Sequence, residues 1–240
     1  MSDREIELPD IEAVILAGGM GTRLRSLALD RSKVVVEVKG RPFITYLLDQ
    51  LDSAGLRKVI LCTGYMAYSV ESVLGNKYKN LEIIYSKENE PLGTAGALKI
   101  AIPYMHVEHI LVMNGDSFVE FDMNVFFSFH VKRQAFVSIV LTKVEDVSRY
   151  GEIEVNSGGE VKHFTEKGNR TGAGWINAGV YLMKKDALCS IPDKTPLSLE
   201  KQFFPSLVKE GLYGYKTNER FIDIGRWNGN KIKIISFRQI

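Results

Sequence analysis

Apolar positions along this chain follow two rhythms. Short apolar runs at Ala13–Ala17, Lys58–Thr63, Leu81–Ser86 and His109–Asn114 predict buried strands. Between them the spacing becomes helical. Arg41-Pro42 predicts a helix opening with proline in its first turn, continued by Ile44, Leu47, Leu48 and Leu51 and stopped at Gly55. Tyr68–Leu74, ended by Gly75, and Thr94–Ile102 predict two more helices. This alternation predicts a Rossmann-like α/β fold: a mixed, mainly parallel sheet flanked by helices and wired by right-handed crossovers.

After Phe136 strand-like pieces outnumber helices: Phe136–Val144, Tyr150–Val155, Val161–Thr165 and Trp175–Met183. Asn156-Ser157-Gly158-Gly159 predicts a hairpin turn between two of them. These added antiparallel or mixed strands are expected to complete the sheet and wall one side of a pocket. No linker, low-complexity segment or internal repeat divides the chain, which reads as one domain over 1–240 with a soft division between 11–120 and 121–240.

Composition narrows the function classes. The chain has 240 residues, 45% hydrophobic and 25% charged, a globular profile. Lys and Arg total 31 against 29 acidic residues, so the net charge of +2 provides no general field to draw nucleic acid or a membrane surface, and any anion site must be local. Cys62 and Cys189 form no Cys-x-x-Cys pair and read as reduced thiols. The polar N-terminus does not read as a signal peptide and no apolar run spans a bilayer, so a cytoplasmic location is expected.

The first strand runs into Leu16-Ala17-Gly18-Gly19-Met20-Gly21-Thr22-Arg23, with Lys33 ten residues beyond. Glycines lack a Cβ, so successive backbone N–H groups can turn towards an anion, while Arg23 and Lys33 add positive charge. The loop ends Gly-Thr-Arg rather than Gly-Lys-Ser/Thr, which excludes the Walker pattern. Leu24 stands where a dinucleotide fingerprint wants glycine or alanine, and Leu61-Cys62-Thr63 lacks its acidic residue. An ordinary strand-to-helix turn is the alternative reading.

Two carboxylates stand at candidate strand ends, where ligands of open α/β sheets lie. Asn114-Gly115-Asp116 carries an acid out of a buried strand, with a turn aspartate bonding its own backbone as the alternative. Asp223, in Phe221-Ile222-Asp223-Ile224-Gly225, sits in a run too apolar to leave a carboxylate unpaired, so it should face a basic group or a metal. Two carboxylates beside a triphosphate are usual oxygen ligands for Mg²⁺.

The glycine loop with Lys33, then Glu90-Pro91-Leu92-Gly93-Thr94-Ala95-Gly96, then Asn114-Gly115-Asp116, resembles the sugar-1-phosphate nucleotidyltransferase family in order and spacing. Further matches at Tyr150-Gly151, Glu166-Lys167, Asn177-Ala178-Gly179-Val180-Tyr181, Ser198-Leu199-Glu200 and the Asp223 run extend the likeness from residue 11 to 225. The short form is most similar to the branch containing manno-heptose 1-phosphate guanylyltransferases and related mannose or glucose enzymes.

The resemblance implies a nucleotidyltransferase fold and a Mg²⁺-dependent exchange of NTP and sugar 1-phosphate for nucleoside-diphosphate sugar and pyrophosphate. GTP and a manno-configured heptose 1-phosphate are the favoured substrates. It assigns the leaving phosphates to Arg23 and the Gly19–Thr22 backbone, the transferred phosphate to Lys33, the sugar phosphate to Lys167, and the metal to Asp116 and Asp223. Nucleotide contacts fall on Leu16, Ala17, Gly18, Gly19, Gly21, Thr22, Gly93 and Thr94, and sugar contacts on Gly151, Glu166, Asn177 and Glu200. Taken singly, Glu166-Lys167 also reads as a solvated pair, Asn177-Ala178-Gly179 as a bend in a strand, and Glu200 as an acid in a first helical turn. Tyr65, Tyr68, Trp175 and Trp227 read as core aromatics.

The chain departs from the family pattern in two places. Pro-Lys-Pro becomes Ser32-Lys33-Val34, which keeps the charge but loses the fixed φ values that would preset the lysine. After Gly225 the alternating Lys231–Ser236 reads as a strand or a disordered end, with a homodimer contact as one use for it. Three other functions stay open: a uridylyl-, thymidylyl- or cytidylyltransferase for a hexose 1-phosphate, a catalytically silent regulatory subunit, and a retaining glycosyltransferase. Asp116-Ser117-Phe118 lacks the second acid that the glycosyltransferase would need.

Overall fold

The computed structural model describes residues 11–18, 32–64, 66–165, 170–193 and 196–224, without the Arg149 side chain. In chain order the strands and helices are β1 (Ile11–Leu16), β2 (Glu37–Val38), β3 (Arg41–Pro42), α1 (Ile44–Ser53), β4 (Lys58–Thr63), α2 (Ala67–Leu74), β5 (Lys77–Tyr78), β6 (Leu81–Lys87), α3 (Gly93–Ala101), β7 (His109–Asn114), β8 (Ser117–Val119) and α4 (Met123–Lys132). They continue with β9 (Val137–Val144), β10 (Glu152–Val155), β11 (Val161–Thr165), β12 (Gly174–Lys184), α5 (Lys185–Cys189), α6 (Phe204–Ser206), β13 (Leu212–Thr217) and β14 (Phe221–Asp223).

Eight strands form one sheet in the order β13-β9-β12-β7-β1-β4-β6-β5. β7, β1, β4 and β6 are mutually parallel, β12 is antiparallel to both β7 and β9, and β13 is parallel to β9. The expected mixed, mainly parallel sheet flanked by helices is present; of the strands after Phe136, β9, β12 and β13 complete it, whereas β10 and β11 pair with each other in a separate two-stranded sheet and β14 pairs with β8. β1 is apolar throughout its middle because it is covered on both faces. Ala13 and Ile15 belong to one core cluster with Leu47, Leu48 and Leu51 of α1 and Phe126 of α4, whereas Val14 belongs to a second cluster with Leu98 of α3, Leu188 of α5 and Phe204 of α6.

Three local expectations need correction. Arg41-Pro42 does not open the first helix: it pairs with Glu37-Val38 in a two-residue hairpin, and the helix starts at Ile44. Lys39 and Gly40 both adopt positive φ, 52° and 81°, which matches the twist that short hairpins require. Tyr150 precedes β10 in a turn rather than belonging to the strand. Tyr68 is 82% exposed and therefore not a core aromatic, whereas Tyr65 and Trp227 lie outside the described residues.

Of the elements that the pattern missed, α4 and β13 are the longest. α4 is capped by Asp122, whose carboxylate accepts the Val125 N–H at 3.0 Å, but its phenylalanine-rich sequence shows little helical periodicity. β13 holds Gly214 and a lysine and lies at the sheet edge, where little apolar surface is required. The Asn156–Gly159 turn forms as expected, with Asn156 Oδ1 accepting the N–H groups of Gly158 and Glu160. Among the described residues, no helix is long and apolar enough to cross a membrane. The tail beyond Ile224 lies outside the described residues.

Candidate active site

β4 and β6 extend from one side of β1 and β7 lies on the other, so the strand order reverses between β1 and β7. Ligands in such sheets occupy the crevice beyond the carboxyl ends at the reversal. Here the glycine-rich loop leaves β1 and Asp116 leaves β7, their backbones tied by Gly115 N–H donating to Leu16 O at 2.9 Å. Leu16 is partly buried, Ala17 is buried, and Gly18 is the last described residue before the loop. Gly19, Gly21, Thr22 and Arg23 lie outside the described residues, as do Glu166 and Lys167.

Lys33 begins the short 3₁₀ turn Lys33–Val35, and its Nζ lies 2.6 Å from Asp116 Oδ2. The lysine side chain is largely buried, whereas the Asp116 side chain is 43% exposed and so remains open to a ligand. β14 runs antiparallel to β8 with Asp223 opposite Ser117, and Ile224 N–H donates to Asp116 O at 3.0 Å. The fold thus brings Lys33, Asp116 and the half-buried Asp223 onto one edge from three distant parts of the chain.

This donor set suits a hard divalent cation. Among the described residues there is no cluster of three or more His, Cys, Asp or Glu that would form an all-protein cage. Mg²⁺ needs none, since it is commonly bound by one or two carboxylates with phosphate oxygens and water completing the shell. Asp116 and Asp223 are carboxylates at this edge that could supply such ligands.

A third carboxylate at this edge escaped the sequence reading. Glu88 follows β6 and its Oε2 accepts the Leu92 N–H at 3.1 Å. Its Oε1 lies 2.8 Å from where a Cβ on Gly18 would sit and 2.5 Å from one on Gly64, so both positions must lack side chains for the carboxylate to cross β4 towards β1. Burial raises the Glu88 pKa above that of an ordinary glutamate, with the Leu92 N–H acting against it. The rule that singled out Asp116, an acid just beyond a buried strand, also applies to Glu88.

The residues assigned to the sugar form a second, connected cluster. Tyr181 on β12 is fully buried, and its hydroxyl accepts from Asn177 Nδ2 at 2.9 Å and Asn114 Nδ2 at 3.3 Å while donating to Glu200 Oε1 at 3.2 Å. Glu200 Oε2 accepts from Thr94 Oγ1 and Ser198 Oγ, both at 2.9 Å. Burial pushes the Tyr181 phenol well above its usual range and nearby Glu200 adds to this, so the hydroxyl stays a donor. Asn177 and Tyr181 flank a bulge in which three residues of β12, Ala178 to Val180, oppose one of β9, Val140, and Asn177 Oδ1 is held by Gly179 N–H at 2.8 Å. Tyr181 was read only as part of a motif, because a strand tyrosine carries no sequence sign of being a hub.

Gly93 and Thr94 turn towards this cluster. Thr94 Oγ1 accepts the Leu199 N–H at 2.8 Å, and a Cβ on Gly93 (φ +74°) would lie 2.5 Å from Leu197 O. Both therefore fasten the start of α3 to 197–200. Gly151 has its N–H engaged by Val147 O at 3.1 Å and lines a cavity of about 310 Å³ with Val147, Glu152, Glu154, His163, Thr165 and Arg170.

Comparison with known proteins bears on the family and the fold. The family model "Nucleotidyl transferase" matches residues 12–230. The D-glycero-alpha-D-manno-heptose 1-phosphate guanylyltransferase of Aneurinibacillus thermoaerophilus is 34% identical over 216 residues, covering 90% of this chain and 93% of that protein. The mannose-1-phosphate guanylyltransferase catalytic subunit beta of Drosophila melanogaster is 38% identical over 219 residues, covering 89% of this chain but only 59% of the longer relative. The crystal structure of HddC from Yersinia pseudotuberculosis complexed with GMP-PN matches with a TM-score of 0.77 at 37% identity, covering 89% of this chain and 93% of that one.

Proposed function

The chain belongs to the nucleotidyl transferase family, and from that premise we propose that it transfers a guanylyl group from GTP to a manno-configured sugar 1-phosphate. D-glycero-D-manno-heptose 1-phosphate is the favoured acceptor. The observation that carries this reading is the meeting of Lys33 and Asp116 where the strand order reverses, with Asp223 beside them. A lysine and two acids there suit a triphosphate and its counter-ion.

In the proposed reaction an anionic oxygen of the sugar phosphate attacks the α-phosphorus of GTP. The bond from that phosphorus to the oxygen bridging to the β-phosphate breaks, and pyrophosphate leaves with the electron pair. The attacking oxygen is already deprotonated at neutral pH, so the protein mainly holds two repelling polyanions in line. Lys33 faces the charge on the transferred phosphate, while Arg23 and the Gly19–Thr22 backbone take the leaving phosphates and Lys167 takes the sugar phosphate. Asp116 and Asp223 would hold Mg²⁺, which when bound neutralises phosphate charge. Asn177 and Glu200, set by Tyr181, face the sugar.

Preference for guanine is supported by the names of the relatives and by the chemistry of Glu88. Guanine presents two donors, N1–H and the N2 amino group, on one edge, and a carboxylate accepts both. Glu88 Oε1 has no hydrogen-bond partner among the described residues and lies over Gly18 and Gly64. The test is pyrophosphate release from GTP, ATP, UTP and CTP against the 1-phosphates of mannose, glucose and manno-heptose. GTP with a manno-configured acceptor should give the highest kcat/KM; a uridylyl or adenylyl preference would overturn the base assignment.

A further inference from the structure

Ser32 precedes Lys33 and is buried, with φ −61° and ψ 142°. That φ is the value a proline ring enforces. No ring is present, so Ser32 is free to leave this extended conformation unless a hydrogen bond restrains it. Ser32 N–H donates to Ser69 Oγ at 3.0 Å, on helix α2. The Ser69 hydroxyl in turn donates to Met66 O at 2.8 Å, and Met66 is held at φ +70°, a left-handed conformation uncommon for any residue but glycine. Beyond Ser32 the chain continues through Val35 N–H to Ser32 O at 3.1 Å and Val36 N–H to Lys33 O at 3.2 Å, the turn from which Lys33 reaches Asp116.

We propose that Ser69 is a positioning residue for Lys33: by accepting the Ser32 N–H it supplies, through a hydrogen bond, the backbone restraint that proline would supply covalently. A proline at position 32 has no N–H to donate, so the Ser69 bond and a proline ring are alternative solutions to one requirement. The two are also sterically exclusive. The Cδ of a proline at 32 would occupy the place of the amide hydrogen and run into Ser69 Oγ. The inference rests on the proposed role of Lys33 at the transferred phosphate.

The exclusivity gives a test that a merely structural serine would not pass. Three variants of the full chain, Ser69→Ala, Ser32→Pro and the double variant, are compared with wild type by steady-state pyrophosphate release and by hydrogen exchange of the amides at 34–36. Ser69→Ala should lower kcat between about tenfold and a hundredfold, the effect of a small misplacement of a catalytic group, with KM for GTP little changed. Its Val35 and Val36 amides should exchange faster. Ser32→Pro alone should be no better than Ser69→Ala, whereas the double variant should recover both rate and protection, and Ser69→Thr, which keeps the hydroxyl, should resemble wild type. Wild-type-like exchange in Ser69→Ala, or a double variant no better protected than Ser69→Ala, would overturn the tether. If exchange behaves as expected and wild type turns over no sugar phosphate, the tether stands and the functional reading fails. Recovered protection without recovered kcat in an active enzyme would remove the link to Lys33.

Discussion

Lys33 Nζ and Asp116 Oδ2 stand 2.6 Å apart, an ion pair closed across 83 residues of sequence. The pair joins the cation proposed for the transferred phosphate to an acid proposed for Mg²⁺. With Asp116 43% exposed, the pair contributes at most about 1 kcal/mol to stability, so its chemistry and its structural role separate experimentally. Asp116→Asn should lower kcat by at least about 10²-fold while shifting Tm little. A near-normal rate in that variant would remove Asp116 from the site.

Glu88→Gln should weaken GTP selectively, because an amide keeps one acceptor and presents a donor to guanine's own donors. Loss of a charge-assisted hydrogen bond corresponds to about 2 kcal/mol, roughly 30-fold in kcat/KM. Discrimination against ATP should shrink with it. The raised pKa adds a pH signature: as pH falls, the Glu88 carboxyl protonates earlier than an ordinary glutamate, so wild-type kcat/KM for GTP should decline on that limb and the glutamine variant's decline should be shallower. Identical limbs in both proteins would exclude Glu88 as the base reader.

Tyr181→Phe removes the hydroxyl shared by Asn114, Asn177 and Glu200. Leaving those partly buried groups without their partner should cost about 1–3 kcal/mol of stability. KM for the sugar phosphate should rise while KM for GTP stays close to wild type, since Tyr181 is fully buried and acts through Asn177 and Glu200. Equal effects on both KM values would indicate a general loss of structure.

The alternation of strand and helix was legible because a parallel sheet buries its strands on both faces and leaves continuous apolar runs such as Val59–Cys62. α4 and the edge strand β13 were not, because neither carries a clean period. Strand-end logic singled out Asp116 and Asp223, and β8 and β14 place their backbones at adjoining positions. The same logic passed over Glu88, whose place is defined by two glycines 46 residues apart in sequence that become neighbours only when β1 and β4 pair. Ser32 shows the converse: the missing proline was visible, but its replacement was not, since the compensating hydroxyl lies 37 residues away.

His130 should make the fold acid-sensitive. It is fully buried against Ser138, 2.8 Å from Nδ1 to Oγ, and burial with lesser contributions from His109 and Lys184 lowers its pKa from 6.5 to about 3. Between those values the unfolded chain binds a proton that the folded chain does not, so stability rises with pH there and is lost as pH falls below 6.5. The contribution approaches one proton, about 1.4 kcal/mol per pH unit. Urea unfolding from pH 7.5 to 4.5 should show a slope shallower by that amount in His130→Asn; equal slopes would place the acid sensitivity elsewhere.

The most direct test of the account is product identification after incubating the purified chain with GTP, manno-heptose 1-phosphate and Mg²⁺, beside Asp116→Asn. Stoichiometric GDP-heptose and pyrophosphate from wild type, absent from the variant and from wild type without Mg²⁺, is the predicted result. Nucleotide binding without transfer to the heptose, mannose or glucose phosphate would contradict it and identify the chain as a silent member of its family.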